Sequence, residues 1–143
     1  MIQVDRDGAI WTLTLARPEK ANALSRSMLH DLAEAVLHAS QHQATRAIII
    51  TGAGKVFSAG ADLDEVHKGL ATDPVWENLS GALASAHCLT IAALNGTVAG
   101  GALGMVLAAD LRIAVPEATF FYPVMKLGVL PQPSDPARLT RLV

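Results

Sequence analysis

The sequence predicts an α/β fold with a largely parallel sheet, formed as one domain over residues 1–143. Two short apolar runs, Ala47–Thr51 and Thr90–Leu94, are typical of strands buried on both faces of a parallel sheet. Helical periodicity precedes each run, over Arg26–Gln41 and over Val75–His87. Because strands and helices alternate along the chain, the helices are expected to cross over between parallel strands.

The N-terminal part is predicted to form a hairpin followed by a capped helix. A turn at Asp5–Gly8 leads into an alternating strand over Ala9–Ala16, and Arg17-Pro18 ends that strand. Ser25 is a favourable N-cap for the first helix. The apolar stripe of that helix consists of Met28, Leu29, Leu32, Ala35, Val36 and Ala39.

Shorter signals predict the remaining elements. Asp62–Val66 is expected to open a short helix with acidic residues at its positive end. Residues Gly100–Ala109 are small and apolar all round, which predicts a helix buried on every side. Further strands are predicted at Val56–Ser58, Asp110–Val115 and Ala118–Phe121, then a loop over Leu127–Pro133 and a last helix from about Asp135.

Composition restricts the function classes. With 51% hydrophobic and 17% charged residues, an ordered globular fold is expected. A net charge of −2 without any Lys/Arg block argues against nucleic-acid binding. Cys88 is the sole cysteine, which excludes an internal disulfide and a Cys-based zinc site. The N-terminus lacks a signal-peptide pattern, and Val98–Ala109 is too short to span a bilayer, so a cytoplasmic protein is expected.

Two glycine-rich turns are the strongest functional signal. Ser58–Asp62 and Asn95–Gly101 each follow a predicted buried strand and precede a helix, and neither segment is rich in reactive side chains. Such turns can aim backbone N–H groups at an oxygen that becomes negative during a reaction. A simple tight turn is the alternative for either segment taken alone.

Other ligand-binding patterns are absent or incomplete. Gly52-Ala53-Gly54-Lys55 lacks the spacing of a phosphate-binding loop, and Val56 follows the lysine where Ser or Thr is required. His38 and His42 are four residues apart on or near the first helix, but nothing else points to a metal site. No metal is therefore expected.

The sequence resembles the enoyl-CoA hydratase/isomerase (crotonase) superfamily over nearly its whole length. The segments that carry this resemblance are Arg17–Leu24, Phe57–Leu63, Ile91–Gly101, Asp110–Ala114 and Leu127–Pro131. The resemblance implies a ββα-spiral core that binds an acyl-CoA thioester, with coenzyme A as part of the substrate and no separate cofactor. It also implies a homo-oligomer, either a trimer or a hexamer.

The resemblance assigns roles to particular residues. The N–H groups of Ala61 and Gly101 would form an oxyanion hole for the thioester oxygen, where an enolate is stabilised. The substrate channel would be lined by Ala21, Ala23, Ala59, Gly60, Ala61, Asp62, Leu63, Gly100 and Gly101. Asp62 is expected to act as a helix cap rather than as an acid catalyst.

Both glutamates of the family's hydratases are missing. Gly104 stands three residues after the oxyanion glycine, and Val124 follows Pro123, where the family pattern has Glu. Hydration needs one group to take a proton from water and another to deliver one to carbon. Tyr122 and Lys126 are the candidate catalytic replacements, with Asp135 nearby, and a solvated or structural role is the alternative for each.

Three functional hypotheses remain open at this point. The first is an acyl-CoA enzyme of uncertain reaction, of the lyase or isomerase class and linked to fatty acid metabolism. The second is a non-catalytic acyl-CoA-binding or remnant protein. The third is a serine peptidase of related fold that would use Ser58. The last predicted helix lacks a stop signal at Val143, which favours a truncated core without the family's C-terminal helical region.

Overall fold

A computed structural model describes all residues from Met1 to Val143. The strands are β1 (Ile2–Asp7), β2 (Ile10–Leu15), β3 (Ala47–Gly52), β4 (Val56–Ser58), β5 (Leu89–Leu94), β6 (Thr97–Ala99), β7 (Leu111–Ala114) and β8 (Phe120–Phe121). The helices are α1 (Arg26–Gln41), α2 (Leu63–Val66), α3 (Val75–Ala84), α4 (Leu103–Ala108) and α5 (Asp135–Leu142). Short 3-10 turns lie at Pro18–Lys20, Leu70–Thr72, Gly100–Ala102 and Val124–Leu127.

The strands form two sheets that the chain visits alternately. The larger sheet has the order β1-β2-β3-β5-β7, antiparallel between β1 and β2 and parallel elsewhere. The smaller sheet is parallel, in the order β4-β6-β8. After the hairpin and α1, the chain therefore repeats one unit three times: a strand in the large sheet, a strand in the small sheet, then a helical segment. This repeat confirms the predicted α/β spiral core.

Helix α1 forms as predicted because its cap and its apolar stripe agree. The Ser25 side-chain oxygen accepts a hydrogen bond from the Met28 N–H at 3.2 Å, which satisfies one of the free donors of the first turn. Leu29, Leu32 and Val36 are fully buried. They belong to a core cluster of 28 residues that includes residues of β2, β3, α3 and α4.

Strand β3 is buried on one face only, so the prediction of burial on both faces was wrong. Ile48 and Ile50 are buried, whereas Ala47, Ile49 and Thr51 are partly exposed. The neighbouring strand β5 shows the same alternation. One face of the large sheet is therefore buried along these two strands, and the other face is partly exposed.

Three local predictions also differ from the structure. Helix α3 ends at Ala84, three residues before the predicted end at His87, and both the backbone N–H and the hydroxyl of Ser85 donate to the Gly81 carbonyl at its C-cap. Strand β6 was not predicted, since its three residues lie inside the glycine-rich segment. The helix predicted over Gly100–Ala109 consists of a 3-10 turn followed by α4.

No helix in the chain combines the length and apolarity needed to cross a bilayer.

Candidate functional site

The two glycine-rich turns meet at the ends of neighbouring parallel strands. Strand β4 pairs with β6, so the turns that follow them emerge at the same edge of the small sheet. Gly60 has φ +91°, and a Cβ there would lie 2.7 Å from the Ala99 carbonyl oxygen. Gly100 has φ +55° and lies beside Gly60. Glycine is therefore required at position 60 by both backbone conformation and close approach.

The first turn leaves one N–H group without a protein acceptor. The Leu24 N–H donates to the Gly60 carbonyl at 2.7 Å, and the Asp62 N–H donates to the Leu24 carbonyl at 2.9 Å. This short parallel bridge between Leu24 and Ala61 skips the Ala61 N–H, which has no backbone or side-chain partner. The first turn thus presents a fixed and unused donor.

The second donor comes from the beginning of the helical segment after β6. Gly101 is the second residue of the 3-10 turn that leads into α4. N–H groups in the first turn of a helix have no acceptor within that helix. Ala61 and Gly101 line the same cavity, whose volume is about 500 Å³. The two residues predicted to supply backbone donors therefore line the same cavity.

The cavity has a mainly apolar wall. Its other lining residues are Ala59, Leu63, Val66, His67, Ala71, Trp76, Ala99, Gly100, Phe121, Tyr122, Pro123, Val124, Leu127, Val129, Leu130 and Gln132. The Trp76 indole N–H donates to the Leu70 carbonyl at 2.8 Å, which fixes the ring. A Cβ at position 101 would lie 3.0–3.1 Å from that ring, so the glycine lets the wall approach the donor.

A smaller cavity of about 370 Å³ adjoins the first. Ala59, Ala61 and Leu63 line both, so the two cavities adjoin along the first turn. Ala23 and Asp62 line the smaller cavity as well, together with Lys20 and Asp64. Ala21 and Gly60 line neither cavity, although the Ala21 carbonyl supports the turn by accepting from the Ala59 N–H at 2.9 Å.

Asp62 supports the first turn by two interactions. One carboxylate oxygen accepts from the Asp64 N–H at 2.9 Å, so Asp62 caps α2 as expected. The other pairs with the Arg17 guanidinium at 2.5 Å, and Arg17 also donates to the Ala23 carbonyl at 3.2 Å. The hydrogen bond from Arg17 lowers the pKa of Asp62, despite the opposing effect of burial. The carboxylate is thereby held as an anion beside the Ala61 donor.

The side chains of Asn22 and Ser58 support the first turn through hydrogen bonds to the backbone. The buried Asn22 amide accepts from the Arg17 N–H and donates to the Ala53 and Val56 carbonyls. The Ser58 hydroxyl donates to the Asn22 carbonyl at 2.8 Å and accepts from the Gly60 N–H at 3.1 Å. Ser58 is fully buried and has no histidine partner, which removes the basis of the peptidase hypothesis.

Asn22 was not among the residues singled out from the sequence. It has φ +53°, a left-handed conformation that Asn tolerates better than most residues. The Ala-Asn-Ala sequence after Arg17–Lys20 is the signal that could have indicated a tight turn here.

The two positions without glutamate lie in different surroundings. Val124 lines the larger cavity and contributes only an apolar side chain. Gly104 lies in α4, and a Cβ there would be 3.0 Å from the Oδ1 atom of Asp135. A carboxylate from helix α5 therefore packs beside position 104, although the position itself carries none.

Asp135 is paired with Tyr122. The Tyr122 hydroxyl donates a short hydrogen bond to Asp135 Oδ2, while the buried Oδ1 atom has no partner. Burial, above all, raises the pKa of the Asp135 carboxyl, and nearby Glu77 raises it further, although the hydrogen bond from Tyr122 acts in the opposite direction. Burial and the hydrogen bond to Asp135 also raise the pKa of Tyr122. Tyr122 lines the larger cavity, whereas Lys126 is exposed and lines neither cavity.

Comparisons with known proteins show the family to which the chain belongs. Residues 5–143 match the family model described as enoyl-CoA hydratase/isomerase. A 4-chlorobenzoyl coenzyme A dehalogenase of an Arthrobacter species is 37% identical over 151 aligned residues, and the alignment covers 99% of this chain. The "Probable enoyl-CoA hydratase echA8" of Mycobacterium tuberculosis is 36% identical over 145 aligned residues, with the same coverage of this chain.

Solved structures show the same fold. An enoyl-CoA hydratase subunit from Geobacillus kaustophilus superposes with a TM-score of 0.88 at 35% identity, over 99% of this chain and 56% of that one. The chain belongs to the enoyl-CoA hydratase/isomerase family. It spans 55–56% of the length of the two curated relatives.

Proposed function

We propose that the chain binds an acyl-CoA thioester and places the thioester oxygen between the N–H groups of Ala61 and Gly101. The observation that carries this proposal is the free Ala61 donor in the same cavity as the first-turn donor of Gly101. The mainly apolar wall suits an acyl chain, and the cavity volume of about 500 Å³ fits a small or medium acyl group.

Such a pair of donors supports enolate chemistry at the thioester. Removing a proton from the carbon next to the carbonyl moves negative charge to the oxygen, and donors fixed in advance stabilise that charge. In comparable sites one donor contributes about 3 kcal/mol to the transition state. The ion pair between Arg17 and Asp62 supports this role, because it fixes the backbone on either side of Ala61.

The smaller cavity is the place proposed for the coenzyme A part of the ligand. It adjoins the larger cavity along Ala59, Ala61 and Leu63, so a thioester at Ala61 can extend into both. Lys20 lines the smaller cavity and pairs with Asp64 at 3.9 Å, and its ammonium group is the proposed partner of a phosphate group there. The substrate-binding roles of Ala23, Asp62 and Leu63 are part of this proposal.

A non-catalytic acyl-CoA-binding protein is the second candidate. Gly104 and Val124 favour it, since neither position provides the carboxylate that the family's hydratases use there. The two candidates share the binding step and differ in whether any proton is transferred. Neither candidate is expected to hydrate crotonyl-CoA, a reaction that is measured by the loss of the enoyl absorbance.

Calorimetry with matched ligands tests the binding site. Butyryl-CoA is compared with S-butyl-CoA, a thioether of the same chain length that lacks the carbonyl oxygen. Two hydrogen bonds of about 1 kcal/mol each predict that the thioester binds about 30-fold more tightly. Equal affinity would overturn the proposed position of the oxygen, and no binding of either ligand would overturn the function.

The remaining expectations from the family resemblance stay predictions. These are a homo-oligomeric state, a cytoplasmic location, a role in fatty acid metabolism and the lack of a separate cofactor. Sedimentation of the purified chain would measure its oligomeric state.

A further inference from the structure

We infer that Tyr122 and Asp135 form a proton relay, in which Tyr122 takes the proton from the carbon next to the thioester carbonyl and Asp135 takes the phenolic proton. This inference rests on the proposed function. It assigns a reactive group to the site although positions 104 and 124 carry none. Its basis is the position of the pair, with the tyrosine on the cavity wall and the carboxylate directly behind it.

The carboxylate reaches this position because residue 104 is glycine. An added Cβ at Gly104 would lie 3.0 Å from Oδ1, 3.4 Å from Oδ2 and 3.6 Å from Cγ of Asp135. The whole carboxyl group thus packs over the bare backbone of α4. A side chain of any size at position 104 would compete with Asp135 for this space.

The surroundings of Asp135 are poor for a purely structural carboxylate. Asp135 is 1% exposed, and one of its oxygens has no hydrogen-bond partner. The Glu77 carboxylate lies nearby on α3, where it accepts from the Ser134 N–H and hydroxyl, and it disfavours a second negative charge. Arg138 partly offsets this effect. A buried, under-satisfied carboxylate next to a ligand cavity is a frequent mark of a functional group.

The relay balances in atoms and charge. The bond between the α-carbon and its proton breaks, and its electron pair forms the enolate, whose oxygen lies at the Ala61 and Gly101 donors. The proton moves to the Tyr122 oxygen while the Tyr122 proton moves to Asp135 Oδ2 along the existing hydrogen bond. Asp135 becomes neutral and the enolate becomes negative. The reverse transfer returns a proton to carbon.

The electrostatics suit a base. The raised pKa of Asp135 makes its carboxylate a stronger proton acceptor than an exposed aspartate. The raised pKa of Tyr122 keeps the phenol protonated at neutral pH, so Asp135 rather than free tyrosinate supplies the basicity. Tyr122 touches the cavity and is the proposed catalytic residue. Asp135 acts through it and is a positioning residue.

Deuterium exchange into butyryl-CoA tests the relay. The chain is incubated with butyryl-CoA in D₂O, and deuterium at the α-carbon is measured by mass spectrometry. The wild-type chain should catalyse exchange, with a rate that rises with pH as Asp135 ionises. Tyr122→Phe should lower the rate by at least about 100-fold with unchanged butyryl-CoA affinity. Asp135→Asn should lower it too and abolish the pH dependence, whereas Asp31→Asn, an exposed control on α1, should match the wild type.

A second measurement needs no ligand. Tyr122 is the sole tyrosine, so the ultraviolet absorbance of tyrosinate reports its ionisation directly. Asp135→Asn should bring that ionisation to lower pH, because the anionic acceptor is gone, and Asp31→Asn should leave it unchanged. If Tyr122 ionised at the same pH in Asp135→Asn as in the wild type, the proposed pairing of Tyr122 with Asp135 would be overturned.

The outcomes separate this inference from the proposed function. Binding of butyryl-CoA without exchange, or exchange that both variants retain, would overturn the relay and leave the binding site intact. If the wild-type chain did not bind butyryl-CoA, both the proposed function and the substrate assigned to the relay would be overturned. The titration of Tyr122 would still test whether Tyr122 and Asp135 are paired.

Discussion

Replacing Gly104 by alanine tests whether the Asp135 carboxylate occupies the space beside α4. The new Cβ would lie 3.0 Å from Oδ1, closer than most side-chain contacts in proteins. Asp135 cannot easily move away, because it is buried and its other oxygen holds the Tyr122 hydroxyl. The single methyl group therefore pushes on a carboxyl group that is fixed from the opposite side.

Two effects of opposite sign determine the result. Alanine in a helix is more favourable than glycine by about 1 kcal/mol. Overpacking a filled site typically costs about 1–3 kcal/mol. We expect Gly104→Ala to lower the free energy of unfolding by about 1 kcal/mol in the wild-type background. In the background of Asp135→Ala, where the space is empty, the same change should raise it by about 0.5–1 kcal/mol.

Urea unfolding of the four chains measures this double-mutant cycle. The loss of the Tyr122 hydrogen bond is present in both Asp135→Ala chains and therefore cancels. The predicted coupling between the two positions is about 1.5–2 kcal/mol, well above the deviation of about 0.5 kcal/mol seen for independent sites. Additive effects would refute the placement of Asp135 over Gly104.

Further predictions concern the support of the Ala61 donor. Gly60→Ala and Gly69→Ala both place alanine at a φ near +90°, but a Cβ at Gly69 meets nothing within 4 Å, whereas one at Gly60 meets the Ala99 carbonyl. Thermal unfolding should show a loss of about 1 kcal/mol for Gly69→Ala and at least about 2 kcal/mol more for Gly60→Ala, and equal losses would contradict the close approach of the two turns. The pKa of Asp62 is lower in the folded chain than in the unfolded chain, because Asp62 pairs with Arg17. This pairing stabilises the fold fully above the unfolded-state pKa near 4, and the contribution is lost as pH falls through the lower folded-state pKa. Asp62→Asn should therefore be less stable than wild type at pH 7 and approach it in acid, and a constant difference across pH would show that the ionised pair contributes nothing.

Local patterns in the sequence were sufficient to predict most of the secondary structure. Helix α1 has the predicted bounds because its cap at Ser25 and its apolar stripe are both encoded within the segment itself. Strand β6 escaped prediction because three residues in a glycine-rich segment carry no periodicity. The one-sided burial of β3 depends on which layer covers the sheet, and an apolar run such as Ile48-Ile49-Ile50 does not report that.

The site shows the same division between local and tertiary information. The turns at Gly60 and Gly100 were recognisable because glycine is a direct sign of unusual backbone conformation. The pairing of Tyr122 with Asp135 joins residues 13 apart across a loop, and its relation to Gly104 joins two helices. Neither has a sequence pattern of its own. Lys126 has a suitable side chain in the right segment, yet it lies exposed on its 3-10 turn.

The central claim is that the thioester oxygen lies between the Ala61 and Gly101 donors, and amide-proton NMR shifts test it most directly. The ¹⁵N-labelled chain is titrated with butyryl-CoA and, in parallel, with S-butyl-CoA. Both amide protons should move downfield with the thioester and much less with the thioether, because only the thioester supplies an acceptor oxygen. Amide protons of Ala61 and Gly101 that respond identically to both ligands would contradict the account.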